Sequence, residues 1–551
     1  MPKLRITGNE GIAYGAKDAG VGIVTGYPGL PSTSVIETLV KITSPDETYI
    51  QWSANEKVAL EIAFGASIAG KRALVSQKMV GMNVCLDSLM VINLLGTGGG
   101  LVLAVGDVPG AISSGNEQDT RILGSFAEVP VLEPSSPKEG WEMTKTAFDI
   151  SEKFSIPVVI RYIREYSQAT EEVLLNPAIR KTQHTRVHGQ KRKWSIVQAK
   201  LRVKAHKELH LKNSKIAEYF CNSPFNIIQG QGEVGIITSG FTYTKVREVL
   251  EKLQNSDHVS LFKLGTVYPL PERLVVDFLR KKQKIAIFEE VEPFLEDKIR
   301  EIASRYNINV PIYGKRTGHM SSEGEFMKHQ IWKTLSTLLS DKEEKLPIEN
   351  EEEPPKKRMG FCPGCPYEIY FDVLKEVIQA LNIPYPVIIG EPGCIVYLGL
   401  PPYKMLDVKV SLGSSIGVAT GLALSRTKKE EIIAVVGDSA FFHSEVSSLI
   451  NASHSGANIL VFILYNHTTG ITGCQPHAGT GYNARGEKVD VIKIEKLCKA
   501  SKVDFVYLVK GKDRQKVKQI LSEALKNQGL RVIIFDEPCP CLANKMIKIP
   551  R

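Results

Sequence analysis

Apolar positions along this chain fall into short continuous runs, each followed by a turn rich in Gly, Pro, Ser or Asp and then by a stretch of helical character. Val21-Gly22-Ile23-Val24 leads into Gly26-Tyr27-Pro28-Gly29, and Gly100-Leu101-Val102-Leu103-Ala104-Val105 into Gly106-Asp107. Further on, Ile432-Ile433-Ala434-Val435-Val436 leads into Gly437-Asp438-Ser439. Runs without polar alternation predict strands buried on both faces, and their alternation with helices predicts an α/β protein with parallel sheets. Ligands of such sheets gather at the carboxyl ends of the strands, where these turns lie.

Two stretches interrupt the pattern. Residues 166–228 are basic, and Asp341 to Arg358 mixes charge blocks with Pro in the manner of an exposed linker. The expected organisation is therefore three α/β blocks, at 1–165, 229–340 and 359–545, separated by a basic connector (166–228) and a charged linker (341–358). A chain of 551 residues exceeds one hydrophobic core, in keeping with that division. With 43% hydrophobic and 23% charged residues the composition is that of a soluble globular protein. The longest apolar run, Ala457 to Tyr465, is far below the roughly 20 residues of a membrane helix. The N-terminal MPKLRITGNE has no apolar signal core, so a cytoplasmic protein is expected.

The formal charge of +9 is concentrated between Arg180 and Lys215, where Glu208 is the only acid. A nucleic-acid patch is one reading of that run. Trp194 supplies almost the only aromatic surface there, so a solvated connector lying over a folded surface is the expected role, and nucleic acid is not an expected partner.

The strongest chemical signal is in the third block. Asp438 follows the strand Ile432–Val436, and Asn466 follows the strand Ile459–Tyr465, 28 residues after Asp438. A carboxylate and an amide oxygen at strand ends are hard ligands for Mg2+, whose octahedral shell is completed by diphosphate oxygens and water. Gly437 allows a close backbone approach to phosphate, and the helix beginning at Ser439 offers free N–H groups. The alternative for a lone Gly-Asp-Ser is a simple helix cap; the second strand ending in Asn at this spacing argues against it. The pair resembles the thiamine diphosphate signature, with Ser439 in its third position. That resemblance implies side-chain ligation of magnesium by Asp438 and Asn466, and ligation through the carbonyl of Thr468.

A thiamine site also needs a carboxyl group at the aminopyrimidine ring, to favour the tautomer that removes the proton from the reactive carbon. Glu56, in Trp52-Ser53-Ala54-Asn55-Glu56-Lys57-Val58-Ala59, is the candidate. It begins a helix of small residues, Ala63-Phe64-Gly65-Ala66-Ser67-Ile68-Ala69-Gly70.

Over nearly all its length the sequence resembles the indolepyruvate ferredoxin oxidoreductase alpha subunits, a family of thiamine-diphosphate-dependent 2-oxoacid oxidoreductases. The motifs that carry the resemblance are Gly26 to Ser32, Trp52 to Ala59, Asn116 to Arg121, Phe361-Cys362-Pro363-Gly364-Cys365-Pro366, Gly437 to Ser444 and Thr472 to His477. It implies a thiamine-diphosphate-binding fold with a pyrimidine-binding first block, a transketolase C-terminal-like middle block and a diphosphate-binding third block. Gly26, Tyr27 and Pro28 join the cofactor-binding residues by the same resemblance. The implied reaction is oxidative decarboxylation of an aryl 2-oxoacid such as indolepyruvate to an acyl-CoA, with electrons passed to ferredoxin. A smaller partner subunit in an α2β2-type assembly is implied too.

Arg121 matches the family position that holds the substrate carboxylate, a role suited to a guanidinium fork. An interdomain salt bridge is the other role open to it. Asn116 and Gln118 are candidates for orienting the substrate.

Of the nine cysteines, Cys362 and Cys365 form a Cys-x-x-Cys pair, Cys394 follows Glu391-Pro392-Gly393, and Cys539 and Cys541 lie near the end. In a cytosolic protein such cysteines favour metal or redox use over disulfides. Zinc would accept four thiolates. The resemblance implies one four-iron four-sulfur cluster instead, held by Cys362, Cys365, Cys394 and Cys539, with Cys541 in reserve.

Three departures from the family pattern bear on the substrate and the electron path. No Cys-x-x-Cys-x-x-Cys-x-x-x-Cys-Pro run is present, so electrons are expected to leave through a separate subunit or carrier. Leu30 replaces a Thr and makes the pocket more apolar, and Cys474 replaces a His. The alternative these suggest is a non-oxidative decarboxylase or carboligase on the same scaffold.

Overall fold

The computed structural model describes residues 3–112, 114–175, 194–253, 256–340, 360–384, 386–425 and 430–542. The expected linker at 341–358 lies outside these, as does the Lys191-Arg192-Lys193 cluster. The chain forms two compact units, 1–352 and 353–551.

The first unit contains a seven-stranded sheet whose order is Thr266–Tyr268, Val131–Leu132, Val158–Ile163, Leu101–Asp107, Ala73–Lys78, Ile23–Gly26 and Tyr49–Trp52. All pairings are parallel except the edge pair Thr266–Tyr268 with Val131–Leu132. Ala73–Lys78, Leu101–Asp107 and Val158–Ile163 are buried at every position, as expected for strands covered on both faces. A five-stranded sheet follows, ordered Ile312–Tyr313, Lys284–Phe288, Val234–Ser239, Val259–Leu264 and Ile227–Gln229, with the last strand antiparallel. The first two expected blocks thus each carry a sheet, yet they form one unit, and Thr266–Tyr268 of the middle block completes the sheet of the first.

The segment expected as a connector is folded at both its described ends. Thr170–Leu174 pairs antiparallel with Lys3–Thr7, and residues Ala199–Phe220 form a helix. Leu209, Ile216 and Phe220 recur on one side of that helix and are buried; Lys200, Lys204, Lys207 and Lys215 are exposed, while Lys212 lies beside the buried side and donates to the Ser155 carbonyl at 2.9 Å. Within this helix most of the positive charge faces solvent.

The second unit is one six-stranded parallel sheet, ordered Val408–Lys409, Val387–Gly390, Ile432–Gly437, Ile459–Tyr465, Leu530–Asp536 and Phe505–Lys510. Its two faces carry separate apolar cores, one holding Phe371, Leu374 and Phe462, the other Ile416, Leu449 and Ile463. Gly390, Gly437 and Tyr465 all end strands at the same edge, so the residues that follow them converge there.

Candidate cofactor site

Ile432–Gly437 is an apolar strand that delivers Asp438 into a helix. Asp438–Ala440, a π turn at Phe441–Glu445 and Val446–His454 run on as one helical stretch. π turns mark functional positions in many helices, because the extra residue re-aims nearby side chains. Here Glu445 is turned inward and accepts the N–H of Ile416 at 3.1 Å.

Asp438 is 1% exposed. Its Oδ1 accepts the N–H of Ser439 at 2.8 Å, whereas Oδ2 is buried and receives no hydrogen bond. The nearest cation-capable group to Oδ2 is Nε2 of His477 at 3.1 Å, which is itself without a hydrogen bond. A buried carboxylate oxygen without a donor is an uncompensated cost unless a cation or a protonated partner faces it. Asn466 donates to the Tyr367 hydroxyl at 2.7 Å, and its Oδ1 accepts the N–H of Thr468 at 3.1 Å. Thr469 donates to the Ser439 hydroxyl at 3.0 Å, joining the two strand ends directly. A Cβ on Gly437 would meet only Glu391 Oε1, at 3.7 Å, so the space beside this backbone is open to a ligand. These donors suit Mg2+ and a diphosphate: two hard oxygens, a helix start and an open glycine. Asp438→Ala is expected to weaken magnesium-dependent binding of thiamine diphosphate by at least about 100-fold, the upper end of what a lost second-shell partner costs. Calorimetric titration at fixed Mg2+ measures it, and unchanged affinity would remove Asp438 from the site.

The sequence reading missed three contributors. Glu391 is fully buried and accepts the N–H groups of Gly437 and Gly413, both at 2.7 Å, so it pins the turn before Asp438 to the neighbouring strand end. Burial pushes its carboxyl well above the usual range, with Glu445 and Asp438 adding to the effect and the two backbone donors opposing it. The visible signal was an acid directly after an apolar strand, Val387–Gly390, and before Pro392-Gly393. Tyr367 gave no comparable signal, since it reaches Asn466 only through folding; His477 closes the motif Thr472 to His477, but only folding brings it to Asp438. Cys474 is buried at φ 64° within the turn closed by the Thr469–Gln475 bridge.

Five cysteines collect beside this edge. Cys365 caps the helix Pro366–Ala380, and Cys394 opens the turn Cys394–Gly399 after the strand that ends at Gly390. The N–H of Cys539 donates to the carbonyl of Asn466 at 3.0 Å, so this cysteine is tied to a proposed magnesium ligand. Burial pushes the Cys394 thiol up to about 12, and the charges of Cys539, Cys362 and Cys541 add to it. Cys365 rises to about 12 through burial, with Cys394, Cys539 and Cys362 contributing. Thiols that oppose one another's ionisation give up their protons readily only to a cationic ligand. Among the described residues no three of these sulfurs lie within 4.8 Å of one another. Tetrahedral zinc, with Zn–S near 2.3 Å, would draw them to about 3.8 Å.

In the first unit Glu56 begins the helix Glu56–Ile68, which Asn55 caps by accepting the N–H of Val58 at 2.9 Å. Glu56 lies just beyond the carboxyl end of Tyr49–Trp52 and is 5% exposed. Gly26 ends the neighbouring strand, and a Cβ there would come within 2.2 Å of the Ser76 carbonyl, so close strand packing requires glycine. Tyr27 and Pro28 follow in the same buried turn, and Leu30 is partly exposed. Asn116 is exposed, and Gln118 accepts from Asn83 at 2.9 Å.

Arg121 lies at the centre of a buried ion cluster. It is 0% exposed, and its Nε and Nη2 bind Asp119, Nη1 binds Glu289 at 2.9 Å, and Nη2 also reaches the carbonyls of Glu290 and Glu292. The guanidinium expected to grip the substrate is thus engaged in an ion cluster joining the seven-stranded sheet to the middle block. Arg161 extends that cluster, binding Asp107 and Glu133, both at 2.7 Å.

Residues 14–199 match the pyruvate flavodoxin/ferredoxin oxidoreductase thiamine diphosphate-binding family, and 396–535 match the thiamine pyrophosphate enzyme C-terminal TPP binding domain. Indolepyruvate oxidoreductase subunit IorA of Archaeoglobus fulgidus is 36% identical over 98% of this chain and 87% of its own length. Its counterpart from Pyrococcus abyssi is 36% identical over 98% and 86%. A solved 2-oxoglutarate:ferredoxin oxidoreductase from Magnetococcus marinus aligns with a TM-score of 0.48 at 17% identity, over 57% of this chain and 62% of that one. Parallel sheets, a diphosphate-type strand edge, the two family matches and the two IorA relatives define a thiamine-diphosphate-dependent 2-oxoacid oxidoreductase. Within that class, the chain belongs to the indolepyruvate oxidoreductase subunit IorA family. Both of these relatives are oxidoreductase subunits, so the non-oxidative alternative finds no support. Among the described residues no helix is long and apolar enough to cross a membrane.

Proposed function

We propose that this chain is the cytoplasmic catalytic subunit for oxidative decarboxylation of an aryl 2-oxoacid, such as indolepyruvate, to its acyl-CoA. Its electrons leave through one four-iron four-sulfur cluster to ferredoxin or another carrier, and a smaller subunit completes the enzyme. Residues 1–165 form the pyrimidine-binding domain, 229–340 the transketolase C-terminal-like domain and 359–545 the diphosphate-binding domain.

Thiamine diphosphate, when bound, supplies the carbon that stabilises the negative charge left by decarboxylation. Asp438, Asn466 and the Thr468 carbonyl hold magnesium, and Ser439 with the helix start holds the diphosphate. Glu391 keeps the Gly437 turn in place. Glu56 holds a proton at the aminopyrimidine ring. The observation that carries the oxidative reading is the gathering of cysteines, one tied to Asn466 through its backbone. Cys362, Cys365, Cys394 and Cys539 are the proposed ligands; Cys541 is exposed, whereas Cys539 is half-buried.

Protein purified without oxygen is expected to hold about four iron and four sulfide per chain. Cys394→Ala should lose most of both while thiamine diphosphate still binds. Wild-type protein without iron, yet competent to bind the cofactor, would overturn the cluster and the electron path with it.

A further inference from the structure

The basic helix Ala199–Phe220 carries a feature that the oxidoreductase chemistry does not use. His206 and His210 are one helical turn apart, so their imidazoles share a face, with ring centroids 4.4 Å apart. Both Nε2 atoms converge on one oxygen of Glu128, at 2.9 Å from His206 and 3.4 Å from His210. The three ligand atoms lie within 4.8 Å of one another, the only such group of His, Cys, Asp or Glu among the described residues. The second oxygen of Glu128 is buried and receives no hydrogen bond.

Glu128 is held from elsewhere. It follows the helix Thr120–Phe126 at φ 54°, a left-handed position that favours glycine. Its N–H donates to Ser125, and its carbonyl accepts from Asn213 at 3.0 Å. Asn213 lies on the same side of the basic helix as His206 and His210, so the helix docks with both imidazoles facing the carboxylate. The histidines themselves are 53% and 62% exposed, open to an ion from solvent.

Two imidazole nitrogens and a carboxylate oxygen are a zinc-type ligand set. With metal–ligand bonds near 2.0–2.1 Å, the edge of a tetrahedron is about 3.3 Å. The two nitrogen–oxygen separations bracket that edge.

We propose that Glu128, His206 and His210 bind one divalent ion of the zinc class. The ion clamps the helix Ala199–Phe220 to the turn after Thr120–Phe126, leaving a coordination position for water. The clamp lies just past the short helix that carries Arg121, so its occupancy steadies the junction between the seven-stranded and five-stranded sheets.

Cobalt(II), followed by competition with zinc, tests this on the full chain after weakly bound metal is removed. Wild type is expected to take up one Co2+ per chain with weak visible bands of nitrogen and oxygen ligation, displaced by Zn2+. His206→Gln/His210→Gln should bind this equivalent at least about 100-fold more weakly, and Glu128→Gln about tenfold more weakly. Zinc should raise the thermal midpoint of wild type and leave that of the double variant unchanged, at equal iron content. Equal uptake by wild type and double variant would overturn the site. So would intense near-ultraviolet thiolate bands, which place the ion on cysteines, or no uptake at millimolar metal. Should the double variant not fold, zinc protection of His206 and His210 from diethyl pyrocarbonate in wild type decides, and unprotected histidines reject the proposal.

Discussion

Glu56→Gln is expected to lower turnover by about 10²–10⁴-fold, the range a positioned proton-transfer group contributes, with thiamine diphosphate affinity changed only a few-fold. The variant keeps the size of the side chain and removes only its ability to carry the proton. Shape matters here because Gly81 packs against Glu56 so closely that a Cβ on Gly81 would lie 2.5 Å from Glu56 Cγ. Asn55 and the helix start hold the residue from the other side. A shorter substitute such as Ala would open a hole and confuse loss of chemistry with loss of packing. Steady-state kinetics beside calorimetric cofactor binding separates the two effects. Turnover within threefold of wild type would show that another group activates the cofactor.

Arg121→Leu should destabilise the first unit by about 3–5 kcal/mol, the cost of breaking a buried ion pair from one side. The cluster sets four carboxyl groups, Asp107, Asp119, Glu133 and Glu289, against two guanidinium groups, Arg121 and Arg161. Removing one cation leaves the acids facing one another away from water. Denaturant unfolding followed by a probe within the first unit measures the loss. A loss below 1 kcal/mol would mean that water reaches the cluster.

The same imbalance gives a pH dependence. Burial raises Glu289 to about 7, although Arg121 and the N–H groups of Glu296 and Leu295 pull it down. Between the ordinary glutamate value and about 7, folded Glu289 binds a proton that the unfolded chain has released. Its contribution to stability is therefore present below that window and declines as pH rises through it.

Much of the fold was legible because its strands are apolar along their whole length. Ile432–Val436 and Ile459–Tyr465 could hardly be anything but buried parallel strands, and Asp438 and Asn466 mark where they end. The Cys-x-x-Cys pair and Glu56 at a helix start were visible in the same way, as local patterns with local consequences. The basic segment was harder. Its apolar positions Leu209, Ile216 and Phe220 are sparse among lysines, so composition masked the amphipathic helix.

Local sequence thus determined the elements, the strand ends and the residue types available for magnesium, diphosphate and thiolate chemistry. Tertiary structure decided who faces whom. Arg121 has the chemistry to hold a substrate carboxylate or an interdomain acid, and only the fold brings Glu289, 168 positions away, against it. Glu391 reaches Gly437 across 46 positions, Tyr367 reaches Asn466 across 99, and Glu128 meets His206 across 78. A charge or a hydrogen bond acts only over a few ångströms. Such pairs carry no periodic trace in the chain and exist only once packing has brought their elements together.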